Sequence, residues 1–354
     1  MSLLGYAEAV PWGASIRNEL LAGHMPPGAV DEAPSRFRDR SGLTSRELNV
    51  LLTWVTGGTP VGGPDGGPAP VTPNQQPPAL LPRGPAYAAA WPLGQPDLTF
   101  PLPADGVLAA GEREKTVEFV LATGTSESRW LRAVDLLPGN GTMVRAATIA
   151  VRAPAVAGTT TAVERTLALW LPGMEASALE PGVGFELPPS AELIVRLLYR
   201  KTWEFENREL RDRSTIGLYF ARAPAVTLQA VRLDAPGDAR AMSGRLAFSQ
   251  VLSDDVRALA IYPATGVNDV GVRVVAIRPD RTRVDLIAFH PRRDWVRRYW
   301  FREPIVLPRG TTIEVTATED ELTLLPVSPA PASAMPADLS SLGLTLNVVT
   351  CDAC

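Results

Sequence analysis

The chain has 354 residues, 45% hydrophobic and 20% charged, a composition that fits a globular protein of about two domains and excludes a disordered or fibrous one. A formal net charge of −4 excludes a general attraction to nucleic acid or to an anionic membrane surface. No run of about 18 apolar residues is present, so no membrane-spanning helix is expected, and the amino terminus lacks the basic start and apolar core of a signal peptide.

Residues 12–57 read as helical. Ile16, Leu20 and Leu21 follow Trp12 on one face, and Thr44 with Glu47 three residues later supplies a helix start. Leu48, Leu51, Leu52 and Val55 then form an apolar stripe that stops at Gly57-Gly58. The block 1–57 is thus a helical segment, and residues 58–93, rich in Pro and Gly, form a linker too poor in large apolar groups to build a core. A linker of this length is expected to lie against its own domains or another protein.

Strand-like alternation begins after Gly94. Val117, Phe119 and Leu121 point one way and Thr116, Glu118 and Val120 the other; further strands are expected over 132–136, 143–151, 163–171 and 192–199. A second set is expected over 245–249, 258–262, 272–278, 283–289 and 312–318, the last with Ile313, Val315 and Ala317 on one face. Short strands separated by Gly/Pro turns predict an all-β protein: two tandem jelly-roll-like antiparallel sandwiches, residues 94–225 and 226–325. Residues 326–354 read as a Pro/Ala/Ser tail ending in Cys351-Asp352-Ala353-Cys354, a local disulfide or simple tail ahead of a redox pair or half a metal site.

Two stretches combine arginine with aromatics, the residue types that dominate interface hot spots. The first, 200–213, carries Trp203 and Phe205 among charges of both signs and reads either as a salt-bridged loop or as a docking loop. The second, 292–300, carries Arg292, Arg293, Arg297, Arg298 and Trp300, candidates for contact with an acidic partner.

Several short phrases resemble the copper type II, ascorbate-dependent monooxygenase-like proteins, relatives of peptidylglycine α-hydroxylating monooxygenase. They are Gly94-Gln95-Pro96-Asp97-Leu98, the Pro138-Gly139-Asn140 turn leading to Arg145-Ala146, Leu198-Tyr199-Arg200, Pro279-Asp280-Arg281-Thr282 and Glu303 to Thr311. Residues 12–60, with His24-Met25-Pro26-Pro27, are similar to the end of the c-type cytochrome domain that precedes the copper domain in that family. The resemblance implies a His-His pair where this chain has Arg145 and Ala146, and a His-Tyr-His where it has Leu198, Tyr199 and Arg200. Copper requires about three imidazole or thioether donors per ion, and the chain has only His24 and His290, with no Cys-x-x-Cys-His for haem. Arginine at former ligand positions repels a cation.

No cofactor or metal is therefore expected, and no enzyme activity. The expectation is a non-catalytic structural subunit bridging cytochrome and membrane subunits of a larger redox complex on the periplasmic side of a bacterial membrane. An extrinsic subunit of a photosynthetic reaction-centre complex is one such assembly. The alternative is a module binding a small ligand or carbohydrate in the cleft between the sandwiches, around Arg145, Tyr199 and Arg200, and the third is an enzyme with relocated chemistry.

Overall fold

The computed structural model describes residues 6–21, 25, 30, 36–38, 43, 45–61, 91–154, 164–172, 174, 176–201, 205–222, 225–237, 244–264, 270–292, 295–319 and 342–351. Most of the linker, His24, Trp203, Arg293 and Cys354 lie outside these described residues.

The amino-terminal segment is helical, as its apolar spacing predicts: α1 (Tyr6–Ala9), a 3-10 turn (Val10–Trp12), α2 (Gly13–Leu21) and α3 (Ser45–Thr56). Ile16 and Leu20 are buried, whereas Leu21 is 58% exposed because a single helical step of 100° carries it off their face. The end of α3 is tied back by Trp54 Nε1, which donates to Pro60 O at 3.0 Å, and by Tyr6 Oη, which donates to Thr59 O at 2.7 Å.

The first sandwich contains β1 (Leu98–Pro101), β2 (Gly106–Leu108), β3 (Glu114–Ala122), β4 (Arg129–Leu137), β5 (Val144–Arg152), β6 (Glu164–Trp170), β7 (Val183–Leu187), β8 (Glu192–Arg200), β9 (Leu210–Asp212) and β10 (Thr215–Phe220). One sheet runs β1-β10-β4-β7 and the facing sheet β3-β8-β5-β6, while β2 and β9 pair at one end. A short strand, β11 (Val226–Thr227), extends the first sheet by pairing parallel with β7, so the first sandwich ends two residues later than the sequence boundary at 225.

The second sandwich contains β12 (Gln229–Asp234), β13 (Arg245–Val251), β14 (Val256–Pro263), β15 (Val270–Ile277), β16 (Arg283–Phe289), β17 (Tyr299–Leu307), β18 (Thr312–Glu319) and β19 (Gly343–Thr350). Its sheets run β12-β19-β14-β17 and β13-β18-β15-β16. With β2, β9 and β11 set aside, both sandwiches follow one rule: the first, eighth, third and sixth strands make one sheet and the second, seventh, fourth and fifth the other. That order is a jelly roll, so the tandem all-β architecture expected from the alternation is the one found.

Strand β19 corrects the reading of 326–354 as a tail. It lies between β12 and β14 in the middle of a sheet, with Leu344, Leu346 and Val348 in the second core. The alternation of these leucines with Thr345, Asn347 and Val349 marks a strand, but a Pro/Ala/Ser-rich approach separates it from the rest in sequence. Cys351, just beyond it, is disulfide-bonded.

The amino-terminal segment is also not an appendage. Val30 bridges to Phe289 at the end of β16, and Phe37 bridges to Phe301 on β17. These two strands are the outermost of their sheets on the same side of the sandwich, and Val30 and Phe37 belong to the second core.

The sandwiches meet where β6 and β7 of the first approach the outer face of β14, β17 and β19. Leu259, Ala260, Trp300 and Val349 turn away from the second core and join the apolar cluster of the first, while Tyr299, Phe301 and Val348 stay inside. Central strands of this sheet are thus buried on both faces, which accounts for the near-continuous apolar runs in β14 and β19.

Candidate functional site

The positions matched to copper ligands do come together. In the β5–β8 pair Ala146 faces Leu198 and Val144 faces Tyr199, with Arg145 in the irregularity between them. Their side chains have structural employment. Arg145 donates to Gly141 O at 3.3 Å and Thr142 O at 2.8 Å, and Arg200 Nε pairs with Glu114 at 2.5 Å. Arg200 belongs to a row of ion pairs across β3, β8, β5 and β6, in which Arg196 meets Glu118 and Glu164, and Arg152 meets Glu192. Tyr199, between them, points inward and is fully buried.

Tyr199 instead completes a polar node. Its hydroxyl donates to Asp212 Oδ2 at 3.0 Å, Ser214 Oγ donates to the same oxygen at 2.8 Å, and Asn140 N donates to Asp212 Oδ1 at 2.8 Å. Burial and the Asp212 charge push the tyrosine pKa far above its ordinary value. The Pro138-Gly139-Asn140 turn is held by this carboxylate, and a Cβ on Gly139 would lie 2.7 Å from the Arg213 backbone. Asn140 Oδ1 accepts from Thr142 N and Oγ1, shaping the turn. The motif thus has a structural use that needs no metal.

Parts of the two arginine-aromatic stretches also turn inward. In the first, Lys201 is buried and donates to Ala109 O and Arg208 O at 2.5 Å, Arg113 pairs with Glu206, and Phe205 is half-buried; this is a tied loop. In the second, Arg292 is half-buried, Arg297 lies 5.3 Å over Tyr299, and Arg298 and Trp300 are buried between the sandwiches, which corrects their reading as an exposed docking surface. Burial follows from their place beside β17, whose outer face meets the first sandwich. His290 is exposed at the end of β16, and among the described residues no group of three His, Cys, Asp or Glu side chains is arranged to hold a metal ion.

What sequence reasoning missed is which residues fill the junction between the sandwiches. Arg298, 3% exposed, crosses it and donates through Nη1 to Leu167 O and through Nη2 to Thr166 O, each at 2.9 Å. Its guanidinium lies 4.8–5.4 Å from the rings of Tyr262, Trp300 and Phe185. Burial lowers its pKa from the usual value, with Tyr262 acting in the opposite direction. A half-buried ion pair between Arg257 and Glu180, 2.6 Å, flanks the same junction.

Beside Arg298 lies a cleft enclosing about 50 Å³, with Asp135 of β4, Leu167 and Trp170 of β6, Phe185 of β7 and Trp300 of β17 among its walls. Asp135 is 4% exposed, and Leu136 N donates to its Oδ1 at 2.8 Å. Burial pushes its carboxyl up to about 6, the Leu136 hydrogen bond opposing the shift. Tyr219 is raised to about 12, by burial first and then by the Asp135 charge, with Arg132 acting the other way.

The Asp135 shift has a consequence for stability. Because the folded state holds the proton more tightly than the unfolded chain, stability is expected to fall as pH rises from 3.8 to about 6 and to be flat above. The loss for this one group is about 2–3 kcal/mol at most. Asp135→Asn is therefore expected to be more stable than the parent at pH 7 and no more stable at pH 4, read by urea denaturation at both values. Equal effects at the two pH values would show that Asp135 ionises freely in the fold.

No protein family matches the sequence, and no curated protein does. Among solved structures, an allantoicase is similar at 12% identity and a TM-score of 0.22, covering 66% of this chain and 77% of that one. The cowpea mosaic virus top component is similar at 6% identity and 0.29, covering 68% and 90%. A tandem CBM22 domain of Paenibacillus barcinonensis Xyn10C is similar at 10% and 0.18, covering 72% and 93%. Likeness this low carries no functional argument.

Proposed function

We propose that the chain is a non-catalytic structural subunit whose joined sandwiches bridge protein partners. The observation that carries this reading is Arg298, which fills the junction and bonds the second sandwich to the backbone of the first. A junction bonded across by the chain's own side chain holds the two halves in one orientation, which suits a spacer between partners. The former ligand positions favour the same reading, since Arg145 and Arg200 are engaged in backbone and ion-pair contacts. The resemblance to a cytochrome-linked family adds the class of assembly, a membrane-bound redox complex on the periplasmic face.

The test is gentle detergent purification of the native protein from its own cells, with mass spectrometry of its companions and metal analysis of the same fraction. Stoichiometric membrane or cytochrome subunits are expected, with no copper assigned to this chain. A lone monomer, or a copper-bearing one, would overturn the proposal.

A further inference from the structure

We propose that Cys351 and Cys354 form a reversible dithiol–disulfide couple, which exchanges disulfides with a dithiol on another protein. This goes beyond the bridging role and does not depend on it.

The pairing follows from a count. Cys351 is disulfide-bonded, and the sequence holds one other cysteine, Cys354, three positions further on. The bridge therefore closes a ring of four residues directly after β19. A disulfide stabilises a fold chiefly by closing a long loop, and this one closes almost none. The strand it follows is already secured. Strand β12 pairs with it from Gln229 to Asp234, β14 pairs with it from Val256 to Pro263, and Leu344, Leu346 and Val348 lie in the second core. A fold that does not depend on its disulfide keeps its shape in both redox states, which is the first requirement of a couple that cycles.

The second requirement is access. Thr350, at the end of β19, is exposed, and Cys351 is half-buried just beyond the last residue pair of the sheet, Val256 with Thr350. The Cys351 N–H donates to Asp255 O at 3.1 Å, and Asp255 Oδ1 accepts from Arg309 N at 2.8 Å. The first cysteine is thus fixed at the rim where β14 begins and β17 has ended, outside the packed core. Disulfides within reach of a thiolate are the labile ones.

The third requirement is spacing. A thiolate of the partner attacks one sulfur of the bridge and forms a mixed disulfide; the other cysteine leaves as a thiolate and takes up a proton. The partner's second thiolate then attacks its own sulfur in the mixed disulfide and releases the first cysteine, which is protonated in turn. Two electrons and two protons pass to this chain, and the partner departs as a disulfide. With only two residues between the cysteines, the released one stays beside the mixed disulfide and can resolve it intramolecularly. Asp352, inside the ring, disfavours a neighbouring thiolate. The reduced form therefore lacks the thiolate stabilisation of a strongly oxidising pair, which puts the couple in the range that glutathione spans. Two thiols are also only half the ligands that a structural zinc takes.

The experiment equilibrates the full chain with a series of glutathione buffers, quenches it with an alkylating agent and reads the intact mass. The reduced fraction is expected to rise from about a tenth to about nine tenths over an about 80-fold change in [GSH]²/[GSSG], as a two-electron couple requires. Reduced chains should carry two alkyl groups, with glutathione adducts below about a tenth of the total. Reduced thioredoxin serves as the protein dithiol and should open the bridge at least about tenfold faster than glutathione at equal thiol concentration. The urea midpoint should be the same for the oxidised chain, the reduced chain and the double variant Cys351→Ser, Cys354→Ser. A bridge that stays oxidised across the series, or a midpoint that falls on reduction and in the double variant, would overturn the proposal in favour of a structural staple. Stable glutathione adducts, or equal rates with thioredoxin and glutathione, would overturn it by assigning the pair to a small thiol.

Discussion

Phe37→Ala is expected to destabilise the second sandwich by about 3–5 kcal/mol and to leave the first nearly unchanged. Phe37 is 2% exposed, stacks on Phe301 with ring centroids 5.4 Å apart, and meets Tyr299 edge-on at 5.9 Å. Its backbone bridges to β17, and the next residue deepens the attachment, with Arg38 N donating to Trp300 O at 2.8 Å and Arg38 Nε to Phe301 O at 3.1 Å. Val30 does the same at Phe289 on the other sheet. Val30 and residues 37–38 therefore each tie to an edge strand, one on each sheet. Truncating the ring opens a cavity between Phe301 and Tyr299 at the point where both sheets are closed. Hydrogen exchange resolves the effect by location: amides of β16 and β17 should lose protection while those of β3 and β8 keep theirs. Uniform loss, or none, would mean that the segment does not close the sandwich.

Arg298→Leu is expected to uncouple the sandwiches at a cost of about 2–4 kcal/mol, and to convert one unfolding transition into two. Two effects compete. Removing a buried cation relieves its desolvation, and leucine fills part of the volume. Against this, the carbonyls of Thr166 and Leu167 lose their guanidinium donors, and three aromatic faces lose a cation. The second effect should win because the carbonyls remain buried and leucine has no N–H to offer. Arg257→Gln, at the half-exposed pair with Glu180, makes the comparison, since such a pair is worth about 1 kcal/mol or less. Calorimetry should show two peaks for Arg298→Leu and one for Arg257→Gln. A single unshifted peak for both would remove Arg298 from the centre of the junction.

The residues of the family-like phrases lie close together and are engaged with backbone and neighbouring charges. Sequence resemblance brought Arg145, Ala146, Leu198 and Arg200 to one neighbourhood, and strand pairing puts them there. What it did not reveal is which residues line the cleft between the sandwiches, because Asp135, Trp170, Phe185 and Arg298 are separated by up to 163 positions. The signal in the sequence is the aromatic-arginine run around Arg298, a pattern that also suits a surface. An arginine in sequence says nothing about whether its guanidinium will be covered.

By itself the sequence determined the elements whose cause is local. Alternation in β3 and β18 follows from the two-residue period of a strand, and Gly139-Asn140 makes a tight turn in any context that lets it close. The tertiary structure alone decided which edges Val30 and Phe37 would cover, that β19 would enter the middle of a sheet, and that Arg298 would be interior. Those outcomes depend on which surfaces remain uncovered after each jelly roll has formed. They are set by contacts between residues far apart in the chain, where neither period nor propensity reaches.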